Sequence, residues 1–278
     1  MKYIYEQISK ADGIILRGVV NTPDDFDARK KYPTVIFYHG FGGDRNGSCF
    51  FRVQNARYLT DRGYLVVRFD FSGTCESDGS FYDMTVSREE AEAEMIHDFT
   101  RLKSYVDRDR LYWMGHSLGG VIATLKAHKL KPKAMCLLAP ACDMNNPDYI
   151  KVMAKTMFEG ELRKKKSDLD GKKSYAEILA SIEDVDIGGV KLNKKFLIDF
   201  LRKDIYGASE KYEGKVLIMR GDCDDLVFND SNEKLSRSFP RAKYEQIKGA
   251  DHSFKNEDYR MLVFEKMYRF FEKAVDKK

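Results

Sequence analysis

Short apolar runs rich in β-branched residues alternate along the chain with longer segments whose apolar residues recur every three or four positions. The first pattern is typical of buried strands and the second of amphipathic helices, and their alternation favours a largely parallel sheet covered on both faces. We predict strands over residues 13–20, 34–39, 64–70, 111–115, 134–139, 216–220 and 243–247. We predict helices over residues 50–61, 87–106, 118–130, 231–239 and 257–275. Residues 3–9, joined to the first of these strands by the turn Lys10-Ala-Asp-Gly13, indicate an antiparallel hairpin at one sheet edge.

The alternation breaks between Cys142 and Lys211, where about 70 residues separate two consecutive predicted strands. Because a crossover between parallel strands needs only a dozen or more residues, the excess indicates an insertion. We therefore predict an α/β core over 1–141 and 212–278, with a small, mostly helical cap over 142–211. A plainer interpretation is that the apolar faces of this segment only pack it against the sheet. Those faces comprise Met153, Met157, Phe158, Ile178, Leu179, Ile182, Leu192, Phe196, Leu197, Phe200 and Leu201.

Composition narrows the class of protein. The chain has 278 residues, of which 43% are hydrophobic, and 48 Lys plus Arg face 44 Asp plus Glu. This excludes a disordered chain and does not predict a nucleic-acid surface. No apolar run approaches 18 residues and the first residues lack a signal-peptide pattern, so we expect a cytoplasmic protein without a membrane partner. Five cysteines without Cys-x-x-Cys spacing predict free thiols rather than disulfides or a zinc site, and a homodimer is left open.

The strongest chemical signal is the stretch 111–123, LYWMGHSLGGVIA, in which a predicted strand runs through Gly-x-Ser-x-Gly into a helix. Its three fixed positions would occur by chance about once in ten chains of this length at ordinary Gly and Ser frequencies. The context sharpens the signal, because a serine on a tight strand-to-helix turn is strained and exposed. Gly115 and Gly119 would let neighbouring backbone pass close to it. The pattern predicts Ser117 as a nucleophile.

Two backbone N–H groups are candidates for binding an oxyanion. Leu118 opens the helix after Ser117, where unpaired N–H groups point toward any anion that forms on an attacked carbonyl. The loop His39-Gly-Phe-Gly-Gly43, which follows another predicted strand, would supply the second donor, and we choose the N–H of Phe41. The alternative is a glycine turn without a role.

A serine nucleophile needs a base, and the chain has five histidines. We expect His97 and His128 in helices away from strand ends and exposed to solvent. We expect the turn at Ser117 to point the side chain of His116 elsewhere. His39 is expected to hydrogen-bond the backbone of its own loop. His252 follows the last predicted strand, where a loop can reach across the edge of the sheet that carries Ser117. It is the predicted base.

The third member is an acid that orients the imidazole, and it should follow another strand. Residues 222–227, DCDDLV, come directly after the predicted strand 216–220. We favour Asp224, since an apolar pair two residues later can anchor the loop, and Asp225 is its main rival. Asp251 adjoins the base in sequence, but neighbouring side chains on an extended segment diverge. The order nucleophile, acid, base is the one that α/β-hydrolases have.

Three segments resemble α/β-hydrolases, and more closely the bacterial cinnamoyl or feruloyl esterases near the monoacylglycerol-lipase-like enzymes. They are HGFGG at 39–43, RFDFSGTCESDGSF at 68–81 with Met84-Thr85 after it, and GHSLGG at 115–120. In that group a glycine usually stands at the position of Cys75. The resemblance implies an α/β-hydrolase fold over essentially the whole chain, with a mostly parallel central sheet, helices on both faces and a helical cap that shapes the acyl pocket.

By motif match, the resemblance places the family's triad on Ser117, Asp224 and His252 and its oxyanion donors on Phe41 and Leu118. It implies a serine carboxylic-ester hydrolase that works through an acyl-enzyme, without a metal or organic cofactor. Its small-molecule substrates would be hydroxycinnamate (feruloyl or cinnamoyl) esters of plant cell-wall sugars or their small alkyl analogues. A short-chain acyl or monoacylglycerol esterase is the alternative within this chemistry. A binding module that kept the fold without catalysis is the alternative from another class.

Overall fold

A computed structural model describes residues 1–143, 183–187 and 189–275. The strands are β1 (Lys2–Ser9), β2 (Ile15–Thr22), β3 (Tyr32–Tyr38), β4 (Leu65–Phe69), β5 (Val106–His116), β6 (Ala134–Leu138), β7 (Asp184–Asp186), β8 (Lys191–Asn193), β9 (Lys215–Gly221) and β10 (Ala242–Ile247). The helices are α1 (Phe51–Thr60), α2 (Val86–Leu102), α3 (Leu118–Leu130), α4 (Lys195–Phe200), α5 (Ile205–Glu210), α6 (Asn229–Ser238) and α7 (Glu257–Ala274). Among these residues, no helix is both long enough and apolar enough to cross a membrane.

The central sheet has eight strands in the order β1-β2-β4-β3-β5-β6-β9-β10. The hairpin of β1 and β2 lies at one edge, and β2 pairs antiparallel with β4. All remaining pairs are parallel, so the ends of β3, β5, β6 and β9 meet at one edge of the sheet. This confirms the predicted α/β architecture and the hairpin.

Alternating side chains of β5 supply two separate hydrophobic cores. Trp113 packs with α2 and α3 on one face, whereas Tyr112 and Met114 pack with α1 and α7 on the other. The period of two along a strand explains this division, because successive side chains point to opposite faces. Continuous apolar sequence at 111–114 is therefore the mark of a strand buried on both sides.

The boundary between α2 and β5 differs from the prediction. The helix ends at Leu102 rather than at 106, and Val106 already pairs with Tyr32 of β3. The register then shifts before Thr34 pairs with Leu111, so the polar residues 107–110 form an irregular start to the strand. Their polarity hid it from a search for apolar runs.

The described part of the 142–211 insertion is not purely helical. Two three-residue strands, β7 and β8, pair antiparallel ahead of α4 and α5, and the sequence did not predict them. Phe196 and Phe200 are buried, as their helical spacing indicates. The other predicted apolar positions Met153, Met157, Phe158, Ile178, Leu179 and Ile182 lie outside the described residues. The division into core and cap stays a prediction.

Candidate active site

Ser117 lies on a sharp turn between β5 and α3. Its φ of 54° and ψ of −119° place it in a backbone region that residues with a side chain rarely adopt. The turn is held from β6, since the Ser117 N–H donates to the Leu138 carbonyl at 2.8 Å. Neighbouring packing therefore stabilises a conformation that the residue would otherwise avoid.

Two glycines make this turn sterically feasible. A Cβ atom on Gly115 would lie 2.4 Å from the Gly119 carbonyl oxygen, and one on Gly119 would lie 2.2 Å from the Tyr38 carbonyl oxygen. Real Cβ atoms do not approach backbone oxygens so closely, so any side chain at either position would push α3 away from β3 and β5. The predicted close approach of backbone at both glycines is confirmed.

The loop after β3 passes directly beside Ser117. A Cβ atom on Gly40 would lie 3.0 Å from Ser117 Cβ and 3.6 Å from Ser117 Oγ. Phe41 follows in this loop and Leu118 follows in α3, and within the described residues neither N–H donates to another protein group. Two unpaired donors thus flank the serine, in the segments where the sequence predicts the oxyanion donors.

His39 supports this loop from below. Its Nε2 accepts a hydrogen bond from the Phe71 N–H at 3.0 Å, so the proton is on Nδ1, which lies 2.9 Å from the Gly40 carbonyl oxygen and donates to it. Burial, together with the charge of Arg52, lowers the pKa of His39 to about 4. His39 is therefore neutral near pH 7, and its predicted contact with the loop backbone is confirmed.

Asp224 and His252 are brought together by the loops after β9 and β10. His252 Nδ1 donates to Asp224 Oδ2 at 2.8 Å, and both residues are buried. The other carboxylate oxygen, Oδ1, accepts the N–H groups of Leu226 and Val227, each at 2.9 Å. Burial alone would raise the pKa of Asp224, but the hydrogen bond and charge of His252 and these two N–H groups outweigh it and lower that pKa.

The two rival acids lie elsewhere. Asp225 is exposed to solvent. The Asp251 carboxylate accepts the backbone N–H of Lys255 at 2.9 Å, so it caps the turn that follows His252. Among the described residues, Asp224 is the carboxylate that hydrogen-bonds the His252 ring.

Ser117 and His252 are linked through His116, the last residue of β5, which directly precedes the serine. No hydrogen bond joins Ser117 Oγ to His252 Nε2 in the described part of the chain, which is common before substrate binds. The connection runs instead through His116, whose Nε2 donates to the His252 carbonyl oxygen at 2.9 Å. The two imidazole rings lie 5.0 Å apart between centroids.

Sequence reasoning missed this contact and misplaced another histidine. His116 was expected to point away from the site, but its partner lies 136 residues further along the chain and no local pattern could indicate it. His97 was expected in solvent and this is wrong: it is buried and accepts the indole N–H of Trp113 at 3.3 Å. Its position between Ala93, Ile96 and Thr100 on one face of α2 could have revealed that burial. His128 is half-buried rather than fully solvated.

Aromatic side chains extend from the Phe41 loop to the insertion. The Phe41 ring lies 5.4 Å from that of Phe81 and 5.1 Å from that of Phe196 on α4, measured between centroids. Phe196 in turn lies 6.1 Å from Phe200. The described part of the insertion therefore packs against the loop beside Ser117.

Comparison with protein families agrees with this geometry. The family model described as serine aminopeptidase, S33 (Hydrolase_4) matches residues 29–259, a range that contains Ser117, Asp224 and His252. The chain belongs to this S33 family. Its fold is the α/β-hydrolase fold that the sequence resemblance implied.

Solved structures and curated proteins add more distant similarities to this S33 chain. The structure of Est1E from Butyrivibrio proteoclasticus with ferulic acid bound is similar over 100% of both chains, with a TM-score of 0.79 and 24% identity. Lysophosphatidylserine lipase ABHD12 from Xenopus tropicalis is 33% identical over 99 residues, which are 36% of this chain and 24% of that lipase. Human dipeptidyl peptidase 8 is 29% identical over 124 residues, which are 41% of this chain and 14% of the peptidase.

Proposed function

We propose that this S33-family chain hydrolyses carboxylic esters through an acyl-enzyme formed on Ser117. The observation that carries the proposal is the buried hydrogen bond between Asp224 and His252. The carbonyl of the same histidine accepts a hydrogen bond from His116, the residue before the strained Ser117. An acid, an imidazole and a hydroxyl on a strand-to-helix turn are the groups that nucleophilic acyl transfer needs.

In the first half of the reaction, Ser117 Oγ attacks the ester carbonyl carbon while His252 Nε2 takes the hydroxyl proton. The proton on His252 Nδ1 stays hydrogen-bonded to Asp224, whose negative charge stabilises the imidazolium. The carbonyl oxygen becomes an oxyanion, and the unpaired N–H groups of Phe41 and Leu118 are suited to bind it. The tetrahedral intermediate collapses as His252 Nε2 returns the proton to the departing alkoxide, which leaves as the alcohol.

In the second half, a water molecule takes the place of the alcohol. His252 Nε2 removes a proton from the water as its oxygen attacks the acyl carbon on Ser117, and the same two N–H groups bind the second oxyanion. The C–O bond to Ser117 then breaks and His252 returns the proton to Ser117 Oγ. The products are a carboxylic acid and the free enzyme.

For the acyl group we propose a hydroxycinnamate, as in feruloyl or cinnamoyl esters. Phe41 lies in the loop beside the serine, and the rings of Phe81 and Phe196 pack against it. An apolar aromatic surface of this kind suits a planar aromatic acid. The similarity of the fold to a structure that holds ferulic acid adds support.

The substrate proposal is tested by comparing methyl ferulate with methyl 3-cyclohexylpropanoate, which has the same leaving group and a saturated ring. We expect kcat/KM to be at least about tenfold higher on the ferulate, a difference of about 1.4 kcal/mol in transition-state binding. Phe196→Leu should reduce this ratio, whereas Phe239→Leu, a buried aromatic outside the aromatic surface beside Ser117, should not. Equal rates on both esters would refute the hydroxycinnamate assignment.

A second candidate is hydrolysis of an aliphatic acyl glyceride or lysophospholipid. The local identity with a lysophosphatidylserine lipase favours it. Acyl transfer to Ser117 does not itself require an aromatic acyl group, so the chemistry is compatible with an aliphatic one. Monobutyrylglycerol, monooleoylglycerol and oleoyl lysophosphatidylserine therefore belong in the same panel. A kcat/KM higher on one of these than on methyl ferulate would establish this candidate instead.

A protein that kept the fold without catalysis would behave differently from either esterase. A fluorophosphonate probe reacts with an activated serine hydroxyl and leaves an inert one unmodified. We expect the probe to label the peptide that contains Ser117. The substitution Asp224→Asn should slow this labelling. An unlabelled Ser117 in folded protein would favour the binding module.

A further inference from the structure

Arg52, on α1, is a buried cation beside the candidate site. Only 4% of the residue is exposed, yet within the described ranges its guanidinium forms no ion pair with a carboxylate. Its Nη1 donates to the Asp44 carbonyl oxygen at 3.0 Å, and its Nη2 approaches His116 Nδ1 to 3.4 Å. Because a buried charge is costly without compensation, the position of this guanidinium against an imidazole calls for an explanation.

The partners of His116 determine where its proton lies. A carbonyl oxygen only accepts hydrogen bonds, so His116 Nε2 must carry a hydrogen to donate to His252. A guanidinium only donates, so His116 Nδ1 must keep its lone pair to face Arg52. Together the two contacts select the neutral imidazole with its proton on Nε2.

We propose that Arg52 and His116 are positioning residues, which set the place of His252 relative to Ser117. His252 is held at two points: its ring by Asp224 at 2.8 Å and its backbone carbonyl by His116 at 2.9 Å. His116 is covalently bonded to Ser117, so its contact with His252 joins the nucleophile turn to the loop of the base. Because Nδ1 is engaged by Asp224, Nε2 is the ring nitrogen of His252 that is left for the serine hydroxyl.

Arg52 also helps to keep His116 neutral, so that its Nδ1 lone pair stays free to face the guanidinium. Burial, with the charges of His252 and Arg52, holds the pKa of His116 well below its usual range. When His252 becomes an imidazolium in the reaction, the low pKa of His116 keeps the proton of His252 from passing to the His116 ring, which lies 5.0 Å away between centroids. The aromatic rings of Phe51 and Phe254 also face His116 and add no charge.

This inference rests on the proposed ester hydrolysis, and its test compares two substitutions at one position. A glutamine side chain can place an amide N–H near the position of imidazole Nε2, whereas leucine has no donor. We expect His116→Leu to lower kcat by about 10- to 100-fold, since misplacing a catalytic group by about 1 Å has effects of this size. KM should stay within about twofold, and His116→Gln should recover most of kcat. Substitution of His128 by leucine or glutamine in α3 is the matched control.

A purely structural role would give another result. Both His116 variants would then lose thermal stability in parallel, with no rescue of kcat by glutamine. Equal kcat in His116→Leu and the unsubstituted protein would overturn the inference while leaving Ser117 chemistry intact. Loss of the ester hydrolysis proposal itself would show instead as full turnover in Ser117→Ala.

The state of His116 can be measured without any variant. Imidazole ¹H–¹⁵N correlation spectra of the full chain at pH 7 should show the neutral tautomer of His116 that is protonated on Nε2. Arg52→Met should raise the pH at which His116 titrates, because it removes a nearby positive charge. An Nδ1–H tautomer or a charged His116 at pH 7 would contradict the proposed contacts.

Discussion

Two residues that directly follow adjacent strands beside the candidate site have strained backbone conformations. Ser117 has a φ of 54° and Ala139, at the end of the adjacent strand, has a φ of 43°. Such conformations persist only where the surroundings impose them. At Ser117 they are imposed by the hydrogen bond to Leu138 and by the glycines beneath it, and the result is a hydroxyl presented at the edge of the sheet.

At the residue scale, the identity of the acid is decided by two matched substitutions. Asp224→Asn should lower kcat/KM for ester hydrolysis by about 10³- to 10⁴-fold, because the amide neither stabilises the imidazolium nor keeps the proton on His252 Nδ1. Asp225→Asn should leave it within about twofold, since that carboxylate is exposed. Steady-state kinetics on one ester measures both, and a greater loss in the Asp225 variant would contradict the assignment.

Cys75 is another residue in a strained backbone conformation. Its φ of 44° falls in the left-handed region, at the position where the related esterases usually have glycine. We expect Cys75→Gly to raise the free energy of unfolding by about 0.5–1 kcal/mol, because relief of the left-handed conformation exceeds the entropy cost of glycine. Cys223→Gly, at an exposed cysteine with negative φ, should lower it by a similar amount. Denaturant unfolding measures both, and destabilisation by Cys75→Gly would be contrary to this account.

At the scale of elements, the site lies where parallel strands end. β5 is followed by Ser117, β9 by Asp224 and β10 by His252, so the sheet order and direction bring three distant segments to one edge. The insertion is anchored to the same region through α2. Ser87, in the first turn of α2, donates its backbone N–H at 2.7 Å and its hydroxyl at 2.6 Å to the carboxylate of Asp199 on α4.

This anchor gives an element-scale prediction. Asp199→Ala should lower the free energy of unfolding by about 1 kcal/mol, since the carboxylate satisfies an otherwise unpaired N–H and complements the helix dipole. Asp25→Ala, at an exposed aspartate, should change it by less than about 0.5 kcal/mol. Hydrogen exchange should also become faster in α4 of Asp199→Ala alone. Unchanged exchange there would show that the insertion is held by other contacts.

At the scale of the whole molecule, the sequence predicted what local pattern determines. Apolar runs and helical periodicity located most strands and helices of the core. The Gly-x-Ser-x-Gly pattern between a strand and a helix predicted the turn at Ser117. Asp224 could be predicted because it follows a strand and precedes an apolar pair, Leu226 and Val227, that can anchor the loop. In the structure the backbone N–H groups of this pair donate to its carboxylate.

Features set by contacts between distant segments could not be predicted in this way. The bond from His116 to His252 depends on how the loop after β10 folds over the turn after β5, and nothing near either residue encodes it. The short strands β7 and β8 hold three residues each, too few for a pattern of alternation to be recognised. Arginine is a residue type that is usually exposed, so nothing in the local sequence indicates that Arg52 is buried where α1 packs beside the site.

The central claim is that Ser117 carries the acyl group during turnover. The most direct measurement is intact-protein and peptide mass spectrometry after rapid acid quenching of the protein mixed with methyl ferulate or p-nitrophenyl acetate. We predict that the peptide containing Ser117 gains the mass of the acyl group less the one hydrogen that it replaces. This gain should be absent in Ser117→Ala, whose turnover falls by at least about 10³-fold. Full turnover in Ser117→Ala, without an acylated peptide, would contradict the account.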